Sequence, residues 1–147
     1  MSNTSSTLAW FATAVPEPHP HNQVVQIGCH LEEVTEMLDA MHLQTEHGHT
    51  LLRTANDSLK DLANFLKRNA ASETLTVTRL DLLDSLADQL VTAIGTAYML
   101  DMDIEAAHAE VNRSNFSKFE DGKPVFNTQG KITKGKEYSP PALEQFI

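Results

Sequence analysis

The chain has 147 residues, 41% of them hydrophobic, and a single cysteine, a length that suits one domain with a sizeable core. Ordinary contents of charge, Gly and Pro exclude a wholly disordered, collagen-like or low-complexity chain, and no apolar run approaches the ~18 residues of a membrane span. The 11 Lys+Arg against 20 Asp+Glu give a formal net charge of −9, which argues against a nucleic-acid polymer or an anionic membrane as partner.

In chain order, residues 1–23 form an N-terminal segment. Leu8-Ala-Trp-Phe-Ala-Thr-Ala-Val15 imitates the apolar core of a secretory signal, but no basic residue precedes it. With the lone Cys29, this points to a cytoplasmic protein. Pro16-Glu-Pro-His-Pro20 cannot be helical throughout. From Val24 the pattern turns helical, with Val24, Ile27, Leu31, Val34, Leu38 and Met41 on one stripe. Glu46-His-Gly-His-Thr50 interrupts it. A second helix is expected over about residues 50–68, on Leu52, Ala55, Leu59, Leu62 and Leu66. A third runs from residues 76–78 to about 100, with a broad apolar face of Leu80, Leu83, Leu86, Ala87, Leu90, Val91 and Ile94. Asp103 is placed to cap a fourth, over residues 104–118. Gly and Pro then mark a loop-rich arm, with a small hairpin expected either side of Asn127-Thr-Gln-Gly130. The expected fold is all-α: one domain with a four-helix-bundle core over residues 24–118 and an irregular C-terminal arm over 119–147.

The most informative segment is Leu31-Glu32-Glu33-Val34-Thr35-Glu36. Glu32, Glu33 and Glu36 fall within an arc of about 100°, opposite the Ile27/Val34/Leu38 stripe. A solvated face would explain them. Against that, Val25, Cys29 and Ala40 share their side of the helix, and no Lys or Arg stands at i+4. Carboxylates so placed repel one another unless a cation binds. On the third helix Asp81, Asp84 and Asp88 lie within about 60°, followed by the small residues Thr92 and Gly95. Carboxylate rows on two helices suit an all-oxygen site for Mg²⁺ or Mn²⁺, which recruits substrate phosphates.

The fourth helix offers phosphate contacts. Asn112, Asn115 and Lys118 continue the stripe of Ile104, Ala107 and Val111 and need polar partners, either phosphate oxygens or solvent at a fraying end. Trp10 can stack on a base or anchor the N-terminal segment. His42, His47 and His49 read as loop histidines, His30 and His108 as core-edge residues, and Cys29 as a small buried side chain. The charge is uneven: residues 1–112 hold 16 acids and 5 bases, and residues 113–147 hold 4 acids and 6 bases.

Glu32-Glu33-x-x-Glu36, the later Asp row, Val111-Asn-Arg-Ser-Asn-Phe-Ser-Lys118 and the tail beginning Asp121-Gly-Lys-Pro124 together resemble the MazG-like all-α nucleoside triphosphate pyrophosphohydrolases, in their single-domain phage branch. The resemblance covers most of residues 22–143. One departure stands out: the family's second metal motif is ExxD, and with its Asp at Asp88 the acidic partner position is Ser85, so Asp84 or an Asp81/Asp84 pair must substitute. The resemblance implies hydrolysis of a (deoxy)nucleoside triphosphate, dGTP or dATP by the branch, to monophosphate and pyrophosphate. It implies Glu33, Glu36 and Asp88 as catalytic metal ligands with two or more Mg²⁺, completed by Glu32 and Asp84. Lys118, Asn112, Asn115 and Arg113 would bind the triphosphate, residues 10–26, including Trp10 and Gln26, the base, and the assembly would be a homodimer or homotetramer. The alternatives are a non-catalytic helical interaction protein, or a related enzyme acting on dUTP or phosphoribosyl-ATP.

Overall fold

The computed structural model describes residues 2–126 and 132–147. The protein is all-α, with a two-residue-stranded hairpin as its one named sheet among those residues. The chain divides into two compact units: residues 17–77 form one, and residues 1–16 with 78–147 form the other. The first unit holds a helical hairpin, and the second holds its own helix packing.

The hairpin unit contains α2 (Pro20–Asp39) and α3 (Glu46–Asn69). Proline at the first helical position has its φ preset and lacks only an N–H that would be orphaned there, so α2 starts at Pro20 rather than at Val24. The Asn22 side-chain oxygen accepts from the His19 N–H at 2.9 Å and closes that end. The segment read as an interruption, Glu46-His-Gly-His-Thr50, is the first turn of α3. Thr45 caps it by accepting from the Gly48 N–H at 3.1 Å.

The two helices run antiparallel, because the start of α2 meets the end of α3 and the end of α2 meets its middle. Gly28 sets their approach: a Cβ there would lie 2.8 Å from Lys67 Cγ and 3.0 Å from the Ala63 carbonyl oxygen. The buried residues of the seam are Val24, Gly28 and Thr35 on α2, with Asn56 and Ala63 on α3. This axis is turned by about 80° from the Ile27/Val34/Leu38 stripe toward Glu32 and Glu36. Of the stripe, Val24 at its edge is buried, Ile27, Leu31, Val34 and Leu38 are only half-buried, and Met41 is exposed.

The other unit is built from both ends of its sequence. Within the N-terminal segment, residues 3–14 form α1 (Asn3–Ala14), capped by Ser2 accepting from the Ser5 N–H. It packs on α5 (Ile104–Phe116), which Asp103 caps as expected by accepting from the Ala106 N–H at 3.0 Å. Between them in sequence runs α4 (Arg79–Met99), ended by a turn with Asp101 at φ 59°. After α5, β1 (Phe119–Glu120) and β2 (Lys123–Pro124) pair through Asp121 and Gly122 at φ 50° and 73°. Two consecutive positive φ values match the right-handed twist of a hairpin, which is why Asp-Gly occupies them. The turn of the hairpin expected around residues 127–130 lies outside the described residues; its flanks Phe126 and Ile132 form an antiparallel bridge. No described helix is long and apolar enough to cross a membrane.

Candidate functional site

In the hairpin unit, Glu32, Glu36 and Asp39 from α2 border an open cleft of about 240 Å³ with Lys60, Asn64 and Lys67 from α3. The turned packing axis brings Glu32 and Glu36 to the edge of the helix seam instead of opposite it. Glu33 is exposed and is not among the cleft's lining residues. Glu32 forms an ion pair with Lys67, a relief that α2 does not supply from its own i+4 position. Asp39 is paired with Lys60 at 2.8 Å and accepts from Asn56 Nδ2 at 2.6 Å. The Lys60 ammonium and then the Asn56 amide hold the Asp39 carboxyl below the usual carboxylate range. Glu36 makes no ion pair among the described residues.

Asp39, Lys60, Asn64 and Lys67 escaped the sequence reading. The signal for Asp39 was present, since it stands seven residues after Glu32 and three after Glu36 on the same side of a helix. The cations could not be found from α2 alone, because their partners come from α3.

The side chains on α2 have the chemistry for a hard divalent cation, being oxygen donors only. Asn56 Oδ1 adds to this: it is buried beside Asp39 without a hydrogen-bond donor among the described residues. Such an oxygen is satisfied by a cation or a water. Among the described residues, however, no group of three or more His, Cys, Asp and Glu is gathered in a metal-holding arrangement. Asp81, Asp84 and Asp88 lie exposed along α4 in the other unit, with Ser85 exposed among them.

The proposed phosphate contacts are brought together by α1 and α5. Asn112 is buried; its Oδ1 accepts from the Thr7 hydroxyl at 2.9 Å and its Nδ2 donates to the Asn3 carbonyl at 3.0 Å. His108 Nε2 lies 2.9 Å from the same Thr7 hydroxyl. Lys118 Nζ donates to Asn115 Oδ1 at 2.8 Å and lies 6.0 Å from the centre of the Trp10 ring. Trp10 stacks on Phe119 at 5.7 Å, meets Phe11 edge-on, and donates its indole N–H to the Asn115 carbonyl at 2.9 Å. Asn112 therefore finds its partners on α1, Asn115 and Lys118 bond each other, and Trp10 anchors α1 on α5.

Arg113 turns elsewhere. Its guanidinium bonds both carboxylate oxygens of Glu110 at 2.7 and 2.8 Å and donates to the Pro140 carbonyl at 3.0 Å. Glu110 also accepts from the Ala142 N–H at 2.9 Å. The Arg113 guanidinium and then the Ala142 N–H lower the Glu110 carboxyl from 4.5 to about 2, and Glu110 in turn raises Arg113. This pair fastens the C-terminal arm along α5. Gln26 is exposed on α2, His30, His42, His47 and His49 are exposed, and Cys29 and His108 are half-buried. His30 thus departs from its expected core-edge position.

The chain matches no family model, no curated protein and no solved structure.

Proposed function

We propose that this protein is a cytoplasmic, Mg²⁺- or Mn²⁺-dependent nucleoside triphosphate pyrophosphohydrolase, acting on deoxynucleoside triphosphates with dGTP and dATP as the first candidates. The observation that carries the reading is the α2–α3 cleft, where Glu32, Glu36 and Asp39 face Lys60, Asn64 and Lys67. A wall of carboxylates opposite a wall of ammonium and amide groups suits a cation and a phosphate bound side by side. The resemblance in the acidic, Asn and Lys motifs supplies the reaction.

On the resemblance, Glu33 and Glu36 with Glu32 on α2 would hold divalent cations, two or more in all, and Asp88 with Asp84 on α4 carries the family's second acidic motif. When bound, such cations would supply Lewis acidity toward a phosphate and would acidify a water. Water adds its oxygen to the α-phosphorus, the bond to the α–β bridging oxygen breaks, and pyrophosphate leaves. Glu32 joins the set by releasing Lys67, whose ammonium is then available to a phosphate oxygen. Lys118 would neutralise charge that moves onto the leaving group, with Asn115 offering a hydrogen bond beside it; Arg113 reaches a phosphate only by leaving Glu110. Asn112 acts by holding α1, and so Trp10, against the helix that carries Lys118. Trp10 on α1 and Gln26 on α2 are the residues the resemblance offers for the base. The active form is a homodimer or homotetramer.

Incubation with Mg²⁺ and each deoxynucleoside triphosphate, with dUTP and phosphoribosyl-ATP alongside, is expected to release monophosphate and pyrophosphate from at least one purine deoxynucleotide. Glu36→Gln is expected to abolish that turnover and leave the helical circular-dichroism spectrum unchanged. A wild-type protein that turns over no triphosphate at micromolar concentration sinks the reading. The second reading, a non-catalytic helical interaction protein, is favoured by the exposed apolar row of α4.

A further inference from the structure

On α2 the acids Glu32, Glu36 and Asp39 stand at i, i+4 and i+7, and on α3 Lys60, Asn64 and Lys67 repeat that spacing. In the antiparallel hairpin the two rows meet in reverse order. Lys67 pairs with Glu32 and Lys60 with Asp39, which sets Asn64 against Glu36 in the register. Where a third lysine would complete the ladder the chain has an amide, and Glu36 is without an ion pair among the described residues. A second polar group is unsatisfied at the Asp39 end. Asn56 is 8% exposed, its amide N–H donates to Asp39, and its Oδ1 has no donor among the described residues. An open place in a ladder of ion pairs, with a buried orphaned oxygen at one end, suits a cation that the lysines do not supply.

We infer that Lys67 is a tethered counter-ion that a divalent cation has to displace from Glu32, and that the displaced ammonium becomes the phosphate site, so that cation and phosphate each strengthen the binding of the other. The inference rests on the cation-binding reading of this cleft and adds a coupling to it. Two features fit Lys67 for the role and set it apart from Lys60. Its stem is held, because Cγ lies where a side chain at residue 28 would be, 2.8 Å from the position of a Cβ on Gly28. The ammonium is thus delivered to Glu32 with little side-chain freedom left to lose. The Lys67 side chain is also 19% exposed against 42% for Lys60, so water screens its pair less.

One carboxylate cannot serve both cations at full strength. While Lys67 holds Glu32, that acid is withheld from a divalent ion and a positive charge stays in the cleft, so affinity for the ion falls. A phosphate alone meets Lys60 and Lys67 already paired, and Glu36 repels it. With both present, Glu32 turns to the divalent ion and Lys67 to a phosphate oxygen, and each charge has an opposite partner. Linkage makes the effect reciprocal: whatever factor the cation gives the phosphate, the phosphate gives the cation.

The test reads binding on the full chain, first with Mn²⁺ alone, followed by the paramagnetic resonance of the free ion. Lys67→Met keeps a stem against Gly28 and removes the charge. It is expected to bind Mn²⁺ roughly fivefold more tightly than the wild type at unchanged helicity, the effect of deleting one competing ion pair. In a Glu32→Gln background the same substitution is expected to lose most of that gain, because the contested acid is gone. Orthophosphate, titrated calorimetrically, is expected to bind the wild type more tightly with Mg²⁺ than without it, and Lys67→Met is expected to lose that enhancement. Mn²⁺ affinity that Lys67→Met leaves unchanged or weakens, a gain that persists in full without Glu32, or orthophosphate binding indifferent to Mg²⁺ overturns the inference. Turnover separates it from the enzymatic reading. A protein that hydrolyses a triphosphate while its Mn²⁺ affinity ignores Lys67→Met keeps the reading and loses the inference; tighter Mn²⁺ binding by the variant of a protein that hydrolyses nothing does the reverse.

Discussion

Glu110 carries two bonds from Arg113 and one from the Ala142 N–H, and all three favour its charged form. Its carboxyl sits at about 2 in the folded chain against 4.5 unperturbed. A carboxyl whose folded value is depressed stabilises the folded state above the unperturbed value, and that contribution fades as pH falls from about 4.5 toward 2. Docking of the C-terminal arm is accordingly expected to be unchanged from neutral pH to about 5 and to loosen below it. Amide exchange at Ala142 measures this, and Glu110→Gln is expected to loosen the arm at pH 7 and flatten the dependence. Protection at Ala142 that stays constant down to pH 2 would contradict the assignment. At this scale the sequence was legible on one side only. The Asn112, Asn115 and Lys118 row announced a need for polar partners. The partners Thr7 and Asn3 lay in a segment whose Ser and Thr residues are poor helix formers, so α1 was missed. Docking on α5 outweighs that weak propensity.

Among the elements, the α2–α3 hairpin shows how one glycine redirects a helix face. Hydrophobic periodicity pointed to Ile27, Val34 and Leu38, yet the closest approach is at Gly28, where backbone and Lys67 occupy the space a side chain would need. Periodicity weighs apolar area and is blind to the small residue that lets two helices meet. Gly28→Val is expected to push α2 from α3 and to destabilise the protein by about 1–3 kcal/mol, as overpacking does. A denaturant melt monitored by helicity checks it, and an unchanged midpoint would falsify the close-contact account. The displaced face also decides what the carboxylates do: Glu32 and Glu36 border a cleft with lysines instead of projecting into solvent opposite the core. Helix ends were read well where a cap was local, as at Asp103. The Asp121-Gly122 hairpin is equally local, since Asp and Gly accept the positive φ that its two turn residues need.

Across the whole molecule, the chain divides into two compact units, one inserted in the sequence of the other. The charge asymmetry follows this only loosely, since the acids of α2 belong to one unit and those of α4 to the other. All-α character was legible because it rests on local period and capping. Which helices pack together was not, because it depends on small residues and on contacts far apart in sequence. Those distances have a consequence for the order of assembly. Residues of α2 and α3 that touch lie 17 to 35 apart, and the hairpin is contiguous, so it can form as soon as its own residues are available. Helix α1 must wait for α5, because Thr7 meets His108 and Asn112 across 101 and 105 residues. During synthesis α1 therefore emerges first and docks last, with Trp10 and Phe11 unburied in the interval. Pulsed hydrogen exchange during refolding is expected to protect α2 and α3 ahead of α1 and α5; simultaneous protection of all four would refute that order.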